Sequence, residues 1–432
     1  MRVLILGAGG FLGSRLATRL TTAGHQIVLA CRNPQSLRPL FPTATIIACD
    51  LATDRSDDWL PRLAGIDAVI NAAGILHGTA KNNFANVHTT GPCQLFEACA
   101  AAKIPKLIQI SAQGADASAI SRFHLSKRAA DDHLVQLADR LDQSGWIVLR
   151  PALVVGRGGK STALFSALAA LPFPIRIGAG DWTLRPLHIT DFLDAVEQVL
   201  NAATPLPRRL DLVGPAPLTT DEFTRVLRRW LGFPPARFIT LPPFAWRIGA
   251  RIGDLLPLGL LSTESLGMLK RGHPATPEAA AQALNWRASP LETSLAREPS
   301  SQADRYHARL HPLRPALTIG LSSIWLSSGL ISAFAFPITT STALVQRLGI
   351  PANAAGAVVY AGAAFDFAIG VALLTGVAKR FVGCTQLVVM ALYTALATFA
   401  APALWLDPFG PLTKNIAVFL AVLVWIILED AR

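Results

Sequence analysis

The chain has 432 residues, of which 51% are hydrophobic and 16% are charged, and its formal net charge is +11. Neither a nucleic-acid-binding motif nor interleaved aromatic residues accompany the basic excess. We therefore expect no nucleic-acid partner and assign the charge to adhesion to an anionic membrane surface. The five cysteines show no metal or disulfide spacing, which predicts reduced thiols and no metal site.

The first predicted strand and helix enclose a glycine-rich turn. The apolar run Val3–Leu6 leads into three glycines, and a helix is predicted over Ser14–Ala23. Glycines at this point allow a sharp turn and the close approach of a pyrophosphate, whose charge lies against the N–H groups at the helix start. The pattern predicts a dinucleotide site. Its expected contacts are Gly7, Gly10, Phe11, Leu12 and Gly13.

Five further apolar strands follow, separated by helical stretches. They are Gln26–Ala30, Thr45–Cys49, Ala68–Ile70, Leu107–Ile110 and Trp146–Leu149. This alternation predicts an α/β fold with a doubly wound parallel sheet of the Rossmann type, whose ligand lies at the carboxyl ends of the strands. The residues expected there are Arg32, Asp50, Leu51, Asn71, Ala72, Ala73, Gly74, Ser111 and Pro151.

The end of the second strand predicts which dinucleotide is bound. An acidic residue at this place would bind the ribose hydroxyls of NAD. The chain has Arg32 there instead. Because a guanidinium group suits a 2′-phosphate, we expect NADP(H) to be preferred over NAD(H).

Several motifs together resemble the short-chain dehydrogenase/reductase superfamily, in its extended or atypical, epimerase/dehydratase-like branch. They include GAGGFLG at Gly7–Gly13, NAAG at Asn71–Gly74, Ser126-Lys127 and RPLHITD at Arg185–Asp191, and the resemblance covers residues 1 to about 290. In that superfamily a Tyr-x-x-x-Lys pair and a serine move the proton that accompanies hydride transfer. The resemblance implies that Lys127 holds the nicotinamide ribose and that Ser111 polarises the substrate carbonyl.

The chain departs from this pattern at the tyrosine. Phe123 stands four residues before Lys127, and the first tyrosine of the chain is Tyr306. A phenyl ring cannot exchange a proton, so the usual proton relay is absent. The neighbouring His124 has two interpretations, a catalytic acid or a surface residue. The surface is expected, because one residue turns a helical side chain by about 100°.

A narrower resemblance bears on function. The sequences SAQG at Ser111–Gly114 and FHLSKRAAD at Phe123–Asp131 are similar to an atypical group that includes the nucleotide-binding accessory subunit of mitochondrial complex I. This resemblance implies binding of NADPH, without turnover in several members of the group.

Four apolar stretches follow residue 315. They are Ala316–Phe336, Ala354–Thr375, Phe381–Ala400 and Asn415–Leu428. Three can cross a hydrocarbon core of about 30 Å and the fourth is short, so we predict an all-α bundle of four transmembrane helices. The segments Ser323–Ser332, Ala364–Gly370 and Pro402–Asn415 resemble the DoxX-like family. Asp366, near the middle of the second span, has two interpretations: a proton or quinone contact, or an interhelical hydrogen bond.

Basic residues predict the orientation of this bundle. Arg347 and Lys414 are expected on one side of the membrane, and seven basic residues on the other. These seven are Arg297, Arg305, Arg309, Arg314, Lys379, Arg380 and Arg432. The positive-inside rule then places the dinucleotide domain and both termini in the cytoplasm, at the inner (cytoplasmic) membrane. The opening MRVLILGAGG is predicted to be a strand and not a signal peptide.

Composition predicts four regions along the chain. Residues 1–203 form the NAD(P)-binding domain, 204–295 a small substrate-side subdomain, 296–314 a linker and 315–432 the membrane domain. The subdomain includes a strand at Leu210–Val213 and a helix at Asp221–Trp230. Its apolar segment Leu241–Leu269 either caps the substrate cleft or lies on the bilayer, with Arg247 and Arg251 toward the lipid headgroups.

Two functions are open at this point, and with them the question of whether the protein is an enzyme. The first is a membrane-anchored oxidoreductase that uses NAD(P)H on a lipophilic substrate such as a quinone or an isoprenoid-like carbonyl. The second is a catalytically silent NADPH-binding redox sensor, or an assembly or structural partner of a membrane complex. Phe123 favours the second function. The first remains open because hydride transfer to a quinone does not require a tyrosine.

Overall fold

A computed structural model describes residues 1–76, 78, 83–255, 262–272 and 275–430. The chain forms two compact units. The sheet unit comprises Met1–Leu241 and Glu264–Arg305, and the helical unit comprises Pro242–Thr263 and Tyr306–Arg432.

The sheet unit is built on parallel strands. In chain order the strands are β1 Arg2–Leu6, β2 Gln26–Cys31, β3 Thr45–Ala48, β4 Ala68–Asn71, β5 Lys106–Ile110, β6 Trp146–Pro151, β7 Val154–Val155, β8 Ile175–Arg176, β9 Thr183–Leu184, β10 Leu187–His188, β11 Arg209–Leu212, β12 Leu218–Thr219 and β13 Ile239–Thr240. Among the described residues, seven of them form one sheet in the order β11-β6-β5-β4-β1-β2-β3, with every neighbouring pair parallel. The strand order reverses between β1 and β4, where doubly wound folds bind their ligands.

Helices cover both faces of this sheet. The helices of the chain up to residue 300 are α1 Phe11–Thr22, α2 Pro34–Leu37, α3 Ser56–Trp59, α4 Gly91–Ala101, α5 Arg122–Arg140, α6 Lys160–Ala170, α7 Ile189–Asn201, α8 Thr220–Trp230, α9 Pro243–Leu255, α10 Thr263–Arg271, α11 Glu278–Leu284 and α12 Leu291–Arg297. Of these, α9 belongs to the helical unit. Alternate residues of β1 enter opposite cores: Val3 and Ile5 pack on the face that holds α1 and α7, while Leu4 and Leu6 pack on the face that holds α4 and α5. Burial on both faces explains the continuous apolar runs from which the strands were predicted.

The predicted sheet is confirmed, with one addition. All six expected strands are present, with bounds that differ by one or two residues. The strand expected in the substrate-side subdomain is β11, and it pairs with β6 at the edge of the main sheet, where Leu210 lies opposite Leu149. Leu210 and Leu212 of this strand are buried in the same core as Leu149.

The helical unit contains the predicted membrane helices. From residue 302 the helices are α13 Gln302–Leu310, α14 Leu313–Leu330, α15 Ile338–Arg347, α16 Ala352–Thr375, α17 Lys379–Ala400 and α18 Lys414–Asp430. Three stretches of the described chain are long and apolar enough to cross a membrane: Gln302–Ala335, Ala352–Thr375 and Lys379–Ala400. The fourth helix, α18, has 17 residues, so its crossing stays a prediction. Two details differ from expectation: α13 occupies part of the predicted linker, and α15 lies between the first two spans.

Ion pairs and hydrogen bonds define the two ends of this bundle. At one end Glu429 of α18 accepts bonds from Arg314 Nη2 (2.8 Å) and from Lys379 Nζ (2.7 Å). At the other end Arg347 bonds the carbonyl of Ala400 (3.4 Å). Arg314 and Lys379 therefore lie at one end of the bundle and Arg347 at the other, which is the antiparallel arrangement that the basic residues predicted. Arg432, also used in that prediction, lies outside the described residues.

Candidate functional site

The turn after β1 is shaped by its glycines. Gly7 has φ +78°, and a Cβ there would lie 2.8 Å from the backbone of Ala72 and Ala73. A Cβ on Gly13 would collide with the carbonyl of Gly7, so only glycine lets α1 begin this close to the strand. The N–H of Gly10 closes the turn on the carbonyl of Gly7 at 2.9 Å. The turn before α1 therefore carries no large side chain. The backbone N–H groups at the start of the helix are left accessible to an anion, which suits a pyrophosphate.

The other predicted cofactor contacts near this turn differ in how far they are buried. Phe11 packs against the loop that follows β7, 3.2 Å from where a Cβ of Gly159 would be. Leu12 is partly buried against the core. Asp50 accepts a bond from the N–H of Ala52 (3.1 Å), and Arg32 is exposed just after β2.

Asn71 holds the small residues that follow β4. Its side chain is fully buried, donates to Gln109 Oε1 (2.7 Å) and accepts from the N–H of Ala73 (3.1 Å). The turn of Ala72, Ala73 and Gly74 is thereby fixed beside Gly7. A Cβ on Gly74 would lie 3.3 Å from Lys127 Nζ, so this glycine leaves the lysine free to reach the strand ends.

Lys127 lies on the inward face of α5. Its ammonium group is buried and donates to the carbonyl of Ile110 at 3.0 Å and to that of Ala73 at 3.2 Å. Burial lowers the pKa of Lys127 to about 8, while the nearby carboxyl of Asp131 acts in the opposite direction. The lysine thus joins the ends of β4 and β5.

Ser111 has a partner that the sequence analysis did not identify. Its hydroxyl donates to Asp131 Oδ2 at 2.6 Å, and Arg150 Nε lies 3.4 Å from the same oxygen. Asp131 follows Lys127 by one helical turn, so both project from the same face of α5. Burial raises the pKa of Asp131 to about 6, and its bonds to Ser111 and Arg150 oppose that rise.

Several buried polar atoms around this group have no hydrogen-bond partner among the described residues. They are Asp131 Oδ1, Gln109 Nε2 and Gln113 Nε2. The N–H of Gln113 is bonded to the carbonyl of Pro151 (2.9 Å), another predicted contact, at the end of β6. Unpaired buried polar groups are costly, and these three lie near the edge of the sheet at which doubly wound folds bind their ligands.

Phe123 belongs to an aromatic cluster. Its ring meets the ring of His88 edge-on, with centroids 5.3 Å apart, and Phe84 stacks on His88 at 5.3 Å. His88 Nε2 accepts the N–H of Ile75 (2.9 Å), so the proton lies on Nδ1, which donates to Ser126 Oγ (3.0 Å). Burial, reinforced by the charge of Lys127, lowers the pKa of His88 to about 3. A neutral histidine and two phenyl rings therefore stand where the resemblance expects an acid–base tyrosine.

His124 was expected at the surface, and that prediction was wrong. Its side chain is buried, with its ring 5.4 Å from that of Phe123. Glu264 of α10 also bonds the N–H of Phe123 (2.7 Å), so the start of α5 is covered rather than open to solvent.

The apolar segment Leu241–Leu269 is divided between the two units. Helix α9 belongs to the helical unit, whereas α10 from Glu264 onward belongs to the sheet unit. Residues 256–261 lie outside the described residues.

Sequence reasoning missed Asp131, His88 and Gln109. Asp131 offered a signal, because it continues the four-residue spacing of Phe123 and Lys127 on one helical face. His88 and Gln109 offered none, since their partners are distant in sequence.

Two family descriptions match the chain. Residues 3–208 match the NAD dependent epimerase/dehydratase family, and residues 322–424 match the DoxX-like family. An epimerase family protein of Bos taurus is 30% identical over 271 residues, which are 56% of this chain and 84% of that protein. The mitochondrial 40 kDa subunit of NADH-ubiquinone oxidoreductase of Neurospora crassa is 25% identical over 230 residues, and the match spans 52% of this chain and 59% of that subunit.

Solved structures show the same fold at low identity. UDP-glucuronic acid 4-epimerase from Bacillus cereus, in complex with UDP-glucuronic acid and NAD, is 17% identical with a TM-score of 0.54, over 72% of this chain and 99% of that one. MoeE5 in complex with UDP-glucose and NAD is 20% identical with a TM-score of 0.52, over 68% of this chain and 96% of that one. The bovine relative and the two family matches show that the chain belongs to the NAD dependent epimerase/dehydratase family of short-chain dehydrogenase/reductase type and carries a DoxX-like membrane domain.

Proposed function

We propose that the protein is a membrane-anchored NAD(P)H-dependent oxidoreductase that acts on a lipophilic substrate, either a quinone or an isoprenoid-like carbonyl. The observation that carries this proposal is the group of Lys127, Ser111 and Asp131 at the strand ends, beside a glycine turn and unpaired buried polar atoms. A cluster of buried, ionisable and hydroxyl side chains at the carboxyl ends of parallel strands is typical of a binding or catalytic site.

The cofactor site follows from the chain's own residues. The turn of Gly7, Gly10 and Gly13 would hold the pyrophosphate, because any Cβ on Gly7 or Gly13 would collide with the backbone. Asp50 and Leu51 would lie toward the adenine, Asn71–Gly74 and Pro151 toward the nicotinamide, and Lys127 toward its ribose. When bound, the dinucleotide supplies a hydride. The guanidinium of Arg32 supports NADP(H) over NAD(H).

Asp131 and Ser111 offer a proton source in place of the missing tyrosine. When Asp131 is protonated, its Oδ2–H donates to Ser111 Oγ, which leaves the serine hydroxyl proton for a substrate oxygen. Water then restores the proton on Asp131. Because the pKa of Asp131 is about 6, this proton is present below that pH and lost above it. Turnover limited by this step decreases as the pH rises above about 6.

The membrane assignment includes an orientation. The DoxX-like domain would span the inner membrane with the dinucleotide-binding domain and both termini in the cytoplasm. In support, Arg314 and Lys379 share Glu429 at one end of the helical unit. The division into residues 1–203, 204–295, 296–314 and 315–432 is part of the same proposal. In this arrangement the substrate partitions into the bilayer, where lipophilic molecules concentrate.

A second function is favoured by one specific observation. The ring of Phe123 is packed against His88 and offers no proton-exchanging group. In this alternative the protein binds NADPH without turnover, as a redox sensor or as a structural or assembly partner of a membrane complex. The Neurospora relative, named as a subunit of such a complex, supports this alternative.

The test uses the full-length protein in lipid nanodiscs. NADPH and NADH are titrated by intrinsic fluorescence, and NADPH absorbance is then followed after addition of a short-chain quinone. Steady consumption that is lost in Lys127→Ala supports the oxidoreductase. A Phe123→Tyr variant is the matched gain-of-function control, because it restores the missing hydroxyl at the same helical position.

The outcomes separate the two functions. Binding without consumption in the natural protein, but with consumption in Phe123→Tyr, supports the silent binding protein. Failure to bind either dinucleotide contradicts both functions.

A further inference from the structure

Helix α9 exposes a row of large apolar side chains. Phe244 is 63% exposed, Ile248 54% and Ile252 37%. At about 100° per residue, these positions lie on one strip of the helix about 80° wide. Arg247 and Arg251 are exposed along one flank of this strip. The exposed side of α9 is therefore amphipathic, with an apolar ridge beside a row of positive charge.

The opposite side of α9 is packed. Ala250 is 3% exposed, and the indole nitrogen of Trp246 is buried. The helix is thus docked by one face and presents the other face outward. It belongs to the helical unit, together with the three stretches that can cross a membrane.

The exposed face of α9 resembles the lipid-facing surface of that unit. Phe334 at the end of the first span is 85% exposed, and Val388 in the middle of the third span is 67% exposed. Such side chains are stable in contact with acyl chains and unfavourable in water. The spans, however, carry few charges, whereas α9 has an arginine pair with no ion-pair partner among the described residues. A helix that combines both features suits the boundary between acyl chains and headgroups.

We propose that α9 is an interfacial helix that binds an anionic lipid surface. Phe244, Ile248 and Ile252 enter the boundary between headgroups and acyl chains, and Arg247 and Arg251 contact the lipid phosphates. The proposal rests on the helical unit, to which α9 belongs, and holds whether or not the sheet unit turns over its cofactor. Of the two interpretations of the apolar segment Leu241–Leu269, a cap of the substrate cleft or a helix on the bilayer, the proposal selects the second for α9.

The experiment places an environment-sensitive fluorophore on Ile248→Cys in the full-length protein. The accessible thiols Cys31, Cys93 and Cys384 are replaced by serine beforehand. Cys49 and Cys99 stay, because burial raises their pKa values, that of Cys49 to about 12, and keeps them unreactive. The protein is placed in nanodiscs of phosphatidylglycerol and phosphatidylcholine, which contain a lipid with a spin label near the headgroup. Quenching by this lipid is compared with quenching by aqueous iodide.

Two labelled positions provide the controls. Phe334→Cys, at the end of a span, reports lipid contact, and Leu141→Cys, an exposed leucine of the sheet unit (41%), reports contact with water. We expect the label at 248 to be quenched by the spin-labelled lipid, as at 334, and to be protected from iodide. Replacing both Arg247 and Arg251 with glutamate should lower the quenching by spin-labelled lipid at position 248 at least about twofold. The same decrease is expected for the natural arginines in discs that contain phosphatidylcholine and no phosphatidylglycerol.

Two results would overturn the proposal. Quenching at 248 by iodide and not by lipid would show that the ridge faces water. Protection from both quenchers would show that protein covers the ridge, either another part of this chain or a second copy.

Discussion

Two buried carboxyl groups, Asp131 in the sheet unit and Asp366 in the helical unit, are paired to different degrees. In the sheet unit, Asp131 Oδ1 and Gln113 Nε2 are buried at the strand ends without a partner among the described residues. In the helical unit, both oxygens of Asp366 accept hydrogen bonds, from Ser328 (2.7 Å) and Tyr393 (2.9 Å). Incomplete pairing indicates a site prepared for a ligand, whereas complete pairing indicates a contact that holds helices together.

The difference has a physical origin. Parallel strands all end at one edge of a sheet, so polar side chains gather there. Some of them bond one another, as Ser111 does with Asp131, while other polar atoms stay unpaired. Helices in a membrane have no water to satisfy their polar groups, so these groups must find partners on neighbouring helices. For Asp366 this favours the interhelical hydrogen bond over the proton or quinone contact.

The largest expected effect concerns the glycine turn of the sheet unit. Gly7→Ala should destabilise that unit by about 2 to 5 kcal/mol and abolish dinucleotide binding, because a Cβ at positive φ meets the backbone of Ala72 and Ala73. Thermal unfolding and fluorescence titration measure the two effects. Gly9→Ala is the control for folding, since its Cβ meets only a leucine side-chain atom at 3.7 Å. Equal stability of both variants would contradict the proposed role of the turn.

The second prediction concerns the pH dependence of the sheet unit. Folding raises the pKa of Asp131 from 3.8 to about 6, so the folded state holds more protons than the unfolded state in this range. The stability of the natural protein relative to Asp131→Asn should therefore fall as the pH rises from 4 to 6, by on the order of 2 kcal/mol. His88, whose pKa is lowered to about 3, acts in the opposite direction, but it is common to both proteins and cancels in the difference.

The measurement is the unfolding midpoint as a function of pH. Asp139→Asn is the matched control, because it removes an exposed carboxylate from the same helix. A pH-independent difference between the natural protein and Asp131→Asn would show that the buried carboxyl does not titrate in this range.

The third prediction addresses the cofactor. Arg32→Glu should weaken NADPH binding roughly 10- to 100-fold, the range expected for a lost charge-assisted hydrogen bond, and leave NADH binding nearly unchanged. The affinities for NADPH and NADH are measured by titration of the natural protein and of Arg32→Glu. Arg38→Glu is the control, because it reverses the charge of another exposed arginine nearby. A retained preference for NADPH in Arg32→Glu would refute the assignment.

The smallest effect is expected in the helical unit. Asp366→Asn keeps a hydrogen-bonding side chain between Ser328 and Tyr393, so unfolding in detergent should change by about 1 kcal/mol or less, while Asp366→Leu removes both bonds and costs more. Binding of NADPH should be unchanged in both variants. A folded Asp366→Asn protein that binds NADPH but has lost quinone reduction would favour the proton interpretation and weaken the contrast between the two units.

Local patterns in the sequence were sufficient for most of the architecture. The six central strands, the glycine turn and the apolar helices each depend on residues that are adjacent in the chain, because burial on both faces of a strand or along a whole span leaves a continuous apolar run. The same locality allowed Asn71 to be predicted at a strand end, whereas Lys127 was predicted from the resemblance to the Tyr-x-x-x-Lys pair.

The remaining features depend on contacts between distant residues. The bond from Ser111 to Asp131 joins β5 to α5, the proton position on His88 depends on Ile75 and Ser126, and β11 enters the sheet beside β6. Periodicity reports which side of an element is apolar, but it does not report which buried polar atoms meet. Those pairings arise when the elements pack, and they set the pKa values and the unpaired groups on which the proposed chemistry depends.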